Sequence, residues 1–403
     1  MNAVSLHPIV ESLEDLGGEL LAIRHQLHSQ PELSYQEVAT AELVASKLEQ
    51  WGYQVTRKIG GEGVVANLSC GEGKRSIGLR ADMDALPIQE KNNFAHRSRN
   101  NGVMHACGHD GHTTMLLGAA AQLARTRRFN GTVNLIFQPA EESGFDSGAQ
   151  RMLKDGLFER FPCDAVFGLH NTPGLAVGHF GFRSGAFMAA CDTVIITIRG
   201  KSGHAARPHL SIDPVVIAGS LIMALQTVVS RSIDPTQTAV VTIGVLRSGH
   251  VANVIPDSAR LELSVRSFDP KVRSLLRERI ENLAHQQSAS YGGAAEVEYK
   301  AGYPVLVNSQ RETDFAAQVA REIFGAEQVI APYELIAGSE DFAYFLEQRP
   351  GCFLRLGNGA TPSVHNSRYD FNDSSILIGA AYWTRLVEKY LGEFDALATP
   401  TSV

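Results

Sequence analysis

Cysteine is scarce in this sequence, and long apolar runs are missing from it. Five cysteines stand far apart among 403 residues, and an odd, scattered set does not predict a disulfide framework. The residues before Leu20 contain no apolar segment of the kind that a secretory signal needs, and uninterrupted apolar stretches are short, as in Leu221–Leu225. We therefore expect a cytoplasmic protein that does not enter a membrane.

An excess of positive charge is also absent. The chain has 36 lysines and arginines against 43 aspartates and glutamates, which gives a net charge of −7. Because nucleic acids and anionic membrane surfaces attract basic proteins, neither is an expected partner. With 44% hydrophobic and 20% charged residues the composition is that of a globular protein, and the length predicts two or three domains.

The predicted helices and strands follow one pattern at both ends of the chain and a different pattern in its middle. Short apolar segments alternate with amphipathic ones in the first 186 residues and again from residue 303, which predicts an α/β fold with a mixed, largely parallel sheet. Residues 187–302 follow a β-α-β-β-α-β order, which predicts a smaller α+β domain. We expect a large domain formed by residues 1–186 and 303–403, with residues 187–302 inserted into it.

The segment His105–His112, with the sequence HACGHDGH, has the highest density of chemically active side chains. An apolar, alanine-rich stretch follows it, so the segment is predicted to lie where a loop meets a helix. Cys107 and His109 are two residues apart and can reach one cation, and a thiolate with an imidazole suits Zn²⁺ and similar metals. Taken alone, either residue has a plainer interpretation as a core cysteine or a capping histidine.

Four further segments carry ligand-type side chains just after apolar runs that predict strands. These side chains are Asp82, Asp84, Glu141, Glu142, His170 and His365. Residues beyond the carboxyl ends of strands line the ligand crevice of an open α/β sheet, so we expect one shared site. Two adjacent carboxylates can divide the work there, one binding metal and the other acting as a general base. Each segment alone is more typical of a solvated acidic loop or a structural histidine.

Together these segments resemble the amidohydrolase branch of the aminoacylase and carboxypeptidase superfamily, which includes hippurate hydrolases and plant auxin-conjugate hydrolases. The resemblance covers nearly the whole chain. Its motifs are Arg24–Glu32, Arg80–Pro87, Met104–His112, Gln138–Glu142, Gly200–His209, Asn253–Asp257, Gly338–Phe342 and His365–Asn366. It implies a catalytic domain like that of metallo-exopeptidases, with the inserted α+β domain serving as a lid or dimerisation domain.

The resemblance also implies roles for individual residues. It implies two divalent metal ions, which can be Zn, Mn, Co or Ni, bound by Cys107, His109, Glu142, His170 and His365. Glu141 is the implied general base, and His204 of the lid is the implied catalytic histidine that reaches the active site of a partner subunit. That role requires a homodimer or a larger homo-oligomer. The implied substrate contacts are Asn253, Arg266 and Gly338.

The implied reaction is hydrolysis of the amide bond of an N-acyl amino acid, such as a hippurate or an acetyl-amino acid, to a carboxylate and a free amino acid. A dipeptidase or a biosynthetic deacetylase with the same two-metal chemistry is the main alternative. A non-catalytic metal-dependent binding protein and a metal-independent hydrolase with Cys107 as nucleophile are further ones. The segment Ser143–Gly148, SGFDSG, differs from the glycine-dominated run of the family, so a difference in substrate preference is expected there.

Overall fold

The computed structural model describes residues 7–392, which form two compact units. The first unit contains the described residues up to Gly185, together with Asn308–Glu334 and the described residues from Tyr344 onward. The second unit contains Ala186–Val307 and Leu335–Ala343. The role of a lid or dimerisation domain for residues 187–302 stays a prediction.

Helices and strands alternate along most of the described chain. The helices are α1 (Pro8–Glu11), α2 (Gly17–Ser29), α3 (Val38–Gln50), α4 (His109–Thr126), α5 (Gly148–Lys154), α6 (Leu157–Arg160), α7 (Pro214–Thr227), α8 (Pro270–Ser290), α9 (Gln310–Phe324), α10 (Ala343–Gln348) and α11 (Ser375–Leu391). The strands are β1 (Gln54–Ile59), β2 (Gly63–Cys70), β3 (Ser76–Asp82), β4 (Gly131–Gln138), β5 (Ala165–Pro173), β6 (Phe180–Gly181), β7 (Gly185–Met188), β8 (Ala190–Arg199), β9 (Gly203–His204), β10 (Ala239–Ser248), β11 (Val254–Ile255), β12 (Ser258–Ser267), β13 (Ala294–Ala301), β14 (Leu306–Asn308), β15 (Val329–Ile330) and β16 (Gly351–Gly359).

An eight-stranded mixed sheet runs through the first unit in the order β1-β2-β4-β3-β5-β16-β6-β15. The four central strands β4, β3, β5 and β16 are parallel to one another, whereas β1 and β2 join antiparallel. Nearly every side chain of β16 and β5 is buried, as expected for parallel strands covered by helices on both faces. The predicted α/β class with a largely parallel sheet is confirmed, and the carboxyl ends of the four strands share one edge.

Helix α4 is buried over most of its length, from His109 to Leu123, and packs against α2, α11 and β3. Its many small side chains permit this close packing. Gly118 is an example, because a Cβ there would lie 2.8 Å from the Cβ of Ala380 and 2.9 Å from Leu20. The first residue of α4 is thereby held at a fixed place beside the parallel strands.

The second unit is built on an antiparallel sheet in the order β10-β12-β8-β13, against which α7 and α8 pack. Strand β12 alternates between buried and partly exposed side chains, the period-two pattern of a sheet with one covered face. Its buried Leu261 and Leu263 join Leu221 of α7 and Leu276 of α8 in one apolar core. Strand β10 lies at the edge of this sheet.

Three local predictions from the sequence need correction. The first long helix was expected from about Ser12, but α2 begins at Gly17 because a short 3-10 turn, Glu14–Leu16, precedes it. His170 was expected beyond the end of a strand, but β5 continues to Pro173 and includes it. Among the described residues, one helical stretch, Pro214–Ser232, is long and apolar enough to cross a membrane by length and composition alone, although we expected only short apolar segments.

This helical stretch has a packing role in the second unit. Ile217, Leu221 and Leu225 are buried in the core that the helix shares with the antiparallel sheet. Localisation in the cytoplasm and the absence of nucleic-acid and membrane partners stay predictions.

Candidate metal centre

The loop before α4 positions two ligand-type side chains. Cys107 is buried on this loop, and His109 is the first residue of α4. Gly108 between them has a φ of +94°, and a Cβ at this position would lie 1.9 Å from the side-chain nitrogen of Asn171. Glycine accepts this left-handed conformation and this close approach, so the chain can turn sharply between the thiol and the imidazole.

Donor atoms from distant segments meet around Cys107. Its sulfur forms one group with His109 and His170, and a second group with Glu142 and His365, in which the ligand atoms lie within 4.8 Å of one another. Cys107 Sγ is 3.3 Å from His170 Nε2, and His365 Nε2 is 3.1 Å from Glu142 Oε1. One sulfur is therefore shared by two donor groups, an arrangement suited to two neighbouring cations.

Glu141 lies beside both donor groups. One of its carboxylate oxygens is within 4.8 Å of ligand atoms of His109 and Glu142. Ala140 has a φ of +52°, and a single 3-10 turn, Glu141–Ser143, follows it. This turn leaves Glu141 buried, at 7% exposure, and Glu142 partly exposed, so the two adjacent carboxylates have different surroundings.

Hydrogen bonds orient the two buried imidazoles. His109 Nδ1 lies 2.9 Å from the carbonyl oxygen of Asp84 and 3.1 Å from its Oδ1, and His170 Nδ1 lies 2.7 Å from the carbonyl oxygen of Asn171. A carbonyl oxygen only accepts, so each Nδ1 carries a proton and donates it. The Nε2 atoms are left to face the donor groups, and this is how an outer carboxylate or carbonyl prepares a histidine for a metal ion.

The surroundings of His109 test whether a metal ion fits. His109 Nε2 is buried and has no hydrogen-bond partner among the described residues. A buried ring nitrogen without a partner is energetically costly, and a bound cation would supply that partner. Burial opposes protonation of His109, but the carboxylates of Asp82 and Asp84 outweigh it and raise the pKa of this imidazole. Burial and the charge of Glu142 likewise raise the pKa of the Cys107 thiol. Metal binding must therefore release protons here, which weakens it at low pH.

Ligand-type atoms of Asp82, His109 and His112 also lie within 4.8 Å of one another, but hydrogen bonds indicate a structural role for His112. His112 Nδ1 donates to Asp82 Oδ1 over 2.7 Å, and His112 Nε2 accepts the backbone N–H of Asn171 over 3.0 Å. Both ring nitrogens of His112 are thus in use. Asn171 also donates to the carbonyl oxygen of Cys107 over 2.7 Å, which links β5 to the Cys107 loop.

Asn171 was not singled out by the sequence, and the only signal was its position next to His170. The loop that carries His365 is hydrogen-bonded to the Cys107 loop, because the His365 N–H donates to the carbonyl oxygen of Ala106 over 2.7 Å. Hydrogen bonds to Cys107 and Glu142 raise the pKa of His365 to about 10. A thiol, three imidazoles and a carboxylate are thus brought together from four segments, and this donor set fits two metal ions such as Zn²⁺.

A buried ion cluster supports the first turn of α4. Arg24 Nε donates to Asp110 Oδ2 over 3.1 Å, and both side chains are fully buried. His28 Nδ1 lies 2.7 Å from the same oxygen. Although burial disfavours its charge, Arg24 and His28 hold the pKa of Asp110 well below its usual range. The cluster anchors Asp110, which directly follows His109.

We expect Arg24→Met to lower the free energy of unfolding by about 3–5 kcal/mol, because it leaves the buried Asp110 charge without its main partner. Urea denaturation of the metal-depleted protein measures this loss. Arg57→Met is the matched control, since Arg57 pairs with Glu42 and Glu49 on the surface and little change is expected. Equal losses in the two variants would contradict a supporting role for the buried cluster.

The remaining predicted residues lie in the second unit. They are His204 on β9, Asn253 just before β11, Arg266 on β12 and Gly338 in the segment Leu335–Ala343. Strands β9 and β11 pair, with His204 opposite Val254, and the N–H of Ala205 donates to the carbonyl oxygen of Asn253 over 3.1 Å. His204 and Asn253 are therefore neighbours within this unit, and the roles of all four residues stay predictions.

The mixed sheet, and the ligand-type side chains gathered at the carboxyl ends of its parallel strands, define a metal-dependent hydrolase. Within that class the chain belongs to peptidase family M20/M25/M40, which it matches over residues 78–389. The predicted family is confirmed.

Individual relatives agree with this assignment. The chain is 43% identical over 383 residues to a hippurate hydrolase of Campylobacter jejuni, covering 95% of this chain and 99% of that protein. It is 40% identical over 373 residues to an N-acetyl-L-cysteine deacetylase of Bacillus subtilis, covering 92% and 88%. A crystal structure of a dinuclear metal binding peptidase of the M20 family from Bacillus subtilis matches with a TM-score of 0.82 and 34% identity, covering 94% and 99%. The prediction of a metal-dependent amide hydrolase is confirmed.

Proposed function

We propose that this enzyme hydrolyses N-acyl amino acids, with two divalent metal ions bound by Cys107, His109, Glu142, His170 and His365. One observation carries the proposal: the Cys107 sulfur belongs to two donor groups, and the Glu141 carboxylate lies beside a member of each. The names of the two relatives, a hippurate hydrolase and an N-acetyl-L-cysteine deacetylase, support this substrate class.

The proposed mechanism divides the work between the adjacent carboxylates. Bound divalent cations supply Lewis-acid chemistry, which polarises an amide carbonyl and makes water easier to ionise. Glu141 takes a proton from the attacking water at one carboxylate oxygen as the new C–O bond forms. It then delivers that proton to the amide nitrogen as the C–N bond breaks, which releases a carboxylic acid and an amine. The acid gives its remaining proton to the amine in solution, so the final products are a carboxylate and an ammonium group. Glu142, one residue later, serves only as a ligand.

In the second unit we assign His204 to the developing oxyanion, Arg266 to the α-carboxylate of the amino acid, and Asn253 and Gly338 to further substrate contacts. The guanidinium of Arg266 suits a carboxylate because it can donate two parallel hydrogen bonds. It forms no ion pair among the described residues, and its one hydrogen bond there is a long contact of 3.4 Å to the carbonyl oxygen of Val265. Its donor groups are therefore available for a substrate.

We expect Arg266→Met to raise KM by roughly 10- to 100-fold for substrates with a free α-carboxylate, the size of a lost charge-assisted hydrogen bond. Substrates whose carboxylate is amidated should be affected far less, and kinetics on such matched pairs measure the difference. Arg260→Met on the same strand is the control, because Arg260 pairs with Glu262 over 3.1 Å. An unchanged KM for the free acid in Arg266→Met would exclude this role.

We also propose that the enzyme is a homodimer, formed through the second unit, in which His204 acts on the partner subunit. Strand β10 supports this because it is a ten-residue edge strand with Val240 and Leu246 exposed, and edge strands readily pair with another chain. Met223 on α7 is 71% exposed and adds apolar surface. Light scattering that finds only monomer at assay concentrations would contradict a role in trans.

A substrate panel tests the proposed reaction. N-acetyl, N-benzoyl and indole-acetyl amino acids, assayed with added Mn²⁺, Zn²⁺, Co²⁺ or Ni²⁺, should be cleaved, and dipeptides should be cleaved poorly. Preference for dipeptides would favour the dipeptidase alternative. Activity that persists after thorough chelation would contradict the metal requirement and favour Cys107 as a nucleophile. Binding without turnover would support a non-catalytic protein.

A further inference from the structure

The chain between α2 and α3 contacts both ends of the loop that carries the two carboxylates. This loop, Ala140–Gly148, is called the carboxylate loop below. At its start, the N–H of Ala140 donates to Glu37 Oε1 over 2.8 Å. Near its end, the hydroxyl of Tyr35 donates to the carbonyl oxygen of Asp146. Two residues of one short segment therefore clamp the carboxylate loop.

A third contact reaches the middle of the carboxylate loop. Ser34 Oγ donates to Asp84 Oδ2 over 2.7 Å, and the same oxygen accepts the N–H of Glu142 over 2.9 Å. Arg151 follows the carboxylate loop in the sequence, and its guanidinium carbon lies 3.8 Å from the centre of the Tyr35 ring. Arg151 Nε donates to Asp146 Oδ2 over 3.1 Å. The carboxylate loop is thus held at its start, in its middle and near its end by residues that lie outside it.

Ala140 is the residue whose conformation decides the direction of the carboxylates. Its φ of +52° and ψ of 46° lie in the left-handed region, which residues other than glycine rarely adopt. It follows the end of β4 and directly precedes Glu141, so its conformation sets where the 3-10 turn begins. The bond to Glu37 engages the N–H of this strained residue, and the bond from Gly148 N–H to its carbonyl oxygen, over 3.1 Å, closes the loop.

Glu37 is a buried carboxyl group whose nearest polar neighbours include the N–H of Ala140. The residue is fully buried, and burial together with the charge of Asp84 raises its pKa to about 8. An apolar side chain would fill the same space without the cost of removing a carboxyl group from water. The benefit of an acceptor at residue 37 therefore lies in the backbone groups that it meets, which are those of Ala140, of Tyr35 and of Glu37 itself.

We propose that Glu37 is a positioning residue of this site, which holds Ala140 in its left-handed conformation and so directs Glu141 and Glu142 towards the donor groups. The inference rests on the proposed function, because it takes the roles of these two carboxylates from it. Tyr35 anchors the far end of the same loop.

The test is the affinity for Mn²⁺, measured by isothermal titration calorimetry on the full chain. Glu37→Met fills a similar volume without an acceptor and should weaken one of the two Mn²⁺ equivalents by roughly 10- to 100-fold, as removal of supporting contacts around metal ligands does. Glu37→Gln keeps an oxygen acceptor for the Ala140 N–H and should restore affinity to within about threefold of the parent. Adding Ala140→Gly to Glu37→Met should recover part of the loss, because glycine adopts the left-handed conformation unaided.

Glu312→Met is the matched control, since Glu312 is a buried glutamate on α9 of the same unit, outside the donor groups. It should lower thermal stability without changing Mn²⁺ affinity. Unchanged affinity in folded Glu37→Met, or equal losses in Glu37→Met and Glu37→Gln, would overturn the proposal. If Glu37→Met does not fold, Glu37→Asp gives the same comparison, because its shorter side chain withdraws the acceptor from Ala140. Mn²⁺ binding needs no substrate, so a Glu37-dependent affinity in a protein inactive on N-acyl amino acids would refute the proposed function alone.

Discussion

Glu141→Gln is expected to lower kcat by roughly 10²- to 10⁴-fold while leaving the metal content unchanged, because a general base contributes about that much. Glutamine has the size of glutamate, but its amide oxygen does not take up a proton near neutral pH. The proton of the attacking water then has no acceptor at this position. Steady-state kinetics and elemental analysis of the same preparation measure both quantities.

Glu142→Gln provides the contrast, because the two residues are neighbours with different surroundings. The Glu142 carboxylate groups with Cys107 and His365, so its replacement should reduce the number of bound ions as well as the rate. Excess metal should restore part of the activity of Glu142→Gln and none of that of Glu141→Gln. Near-normal turnover in Glu141→Gln would remove this residue as the base.

The ligand-type side chains could be predicted from the sequence because their signals are local. Cys107 and His109 stand two residues apart before a helix, and Glu142 follows an apolar run that forms a strand. The parallel strands bring these segments to one edge, which is a general property of such sheets. The sequence thus predicted which segments meet.

Within the segment His105–His112, the high density of histidines was a misleading guide to which of them belong to the donor groups. His105 is buried, neither of its ring nitrogens has a partner among the described residues, and burial lowers its pKa to about 4. It belongs to none of the donor groups found there. His112 uses both nitrogens in hydrogen bonds to Asp82 and Asn171. Spacing alone could not separate these histidines from His109, because only the fold decides which nitrogen faces a neighbour.

The residues that support the site, Glu37 and Asn171, could not be predicted from the sequence for the same reason. Glu37 is 103 positions away from Ala140, and no periodicity in the sequence relates the two. Asn171 acts through its backbone N–H and its side-chain amide at once, a combination that depends on the register of β5. Ligands carry chemical identities that can be read from a sequence, whereas supporting residues are defined by the backbone groups they meet.

Cys107→Ala is expected to weaken binding of both metal ions. A structural zinc site with four ligands gains about 10–16 kcal/mol, so one ligand accounts for roughly 3 kcal/mol, or about a hundredfold in affinity. Because the Cys107 sulfur belongs to both donor groups, this loss should fall on each ion. Elemental analysis after gel filtration should drop from close to two ions per chain to fewer than one, and turnover should fall with it.

Cys352→Ala is the matched control, because Cys352 is also buried, on β16, and belongs to no donor group among the described residues. It should keep its metal ions and lose only some stability from the cavity. Adding excess Mn²⁺ or Zn²⁺ to Cys107→Ala separates the remaining mechanisms. A ligand role predicts partial recovery of turnover, since the imidazoles and carboxylates remain, whereas a nucleophile cannot be replaced by a cation. Two tightly held ions in Cys107→Ala would contradict the sharing of this sulfur between two metal sites.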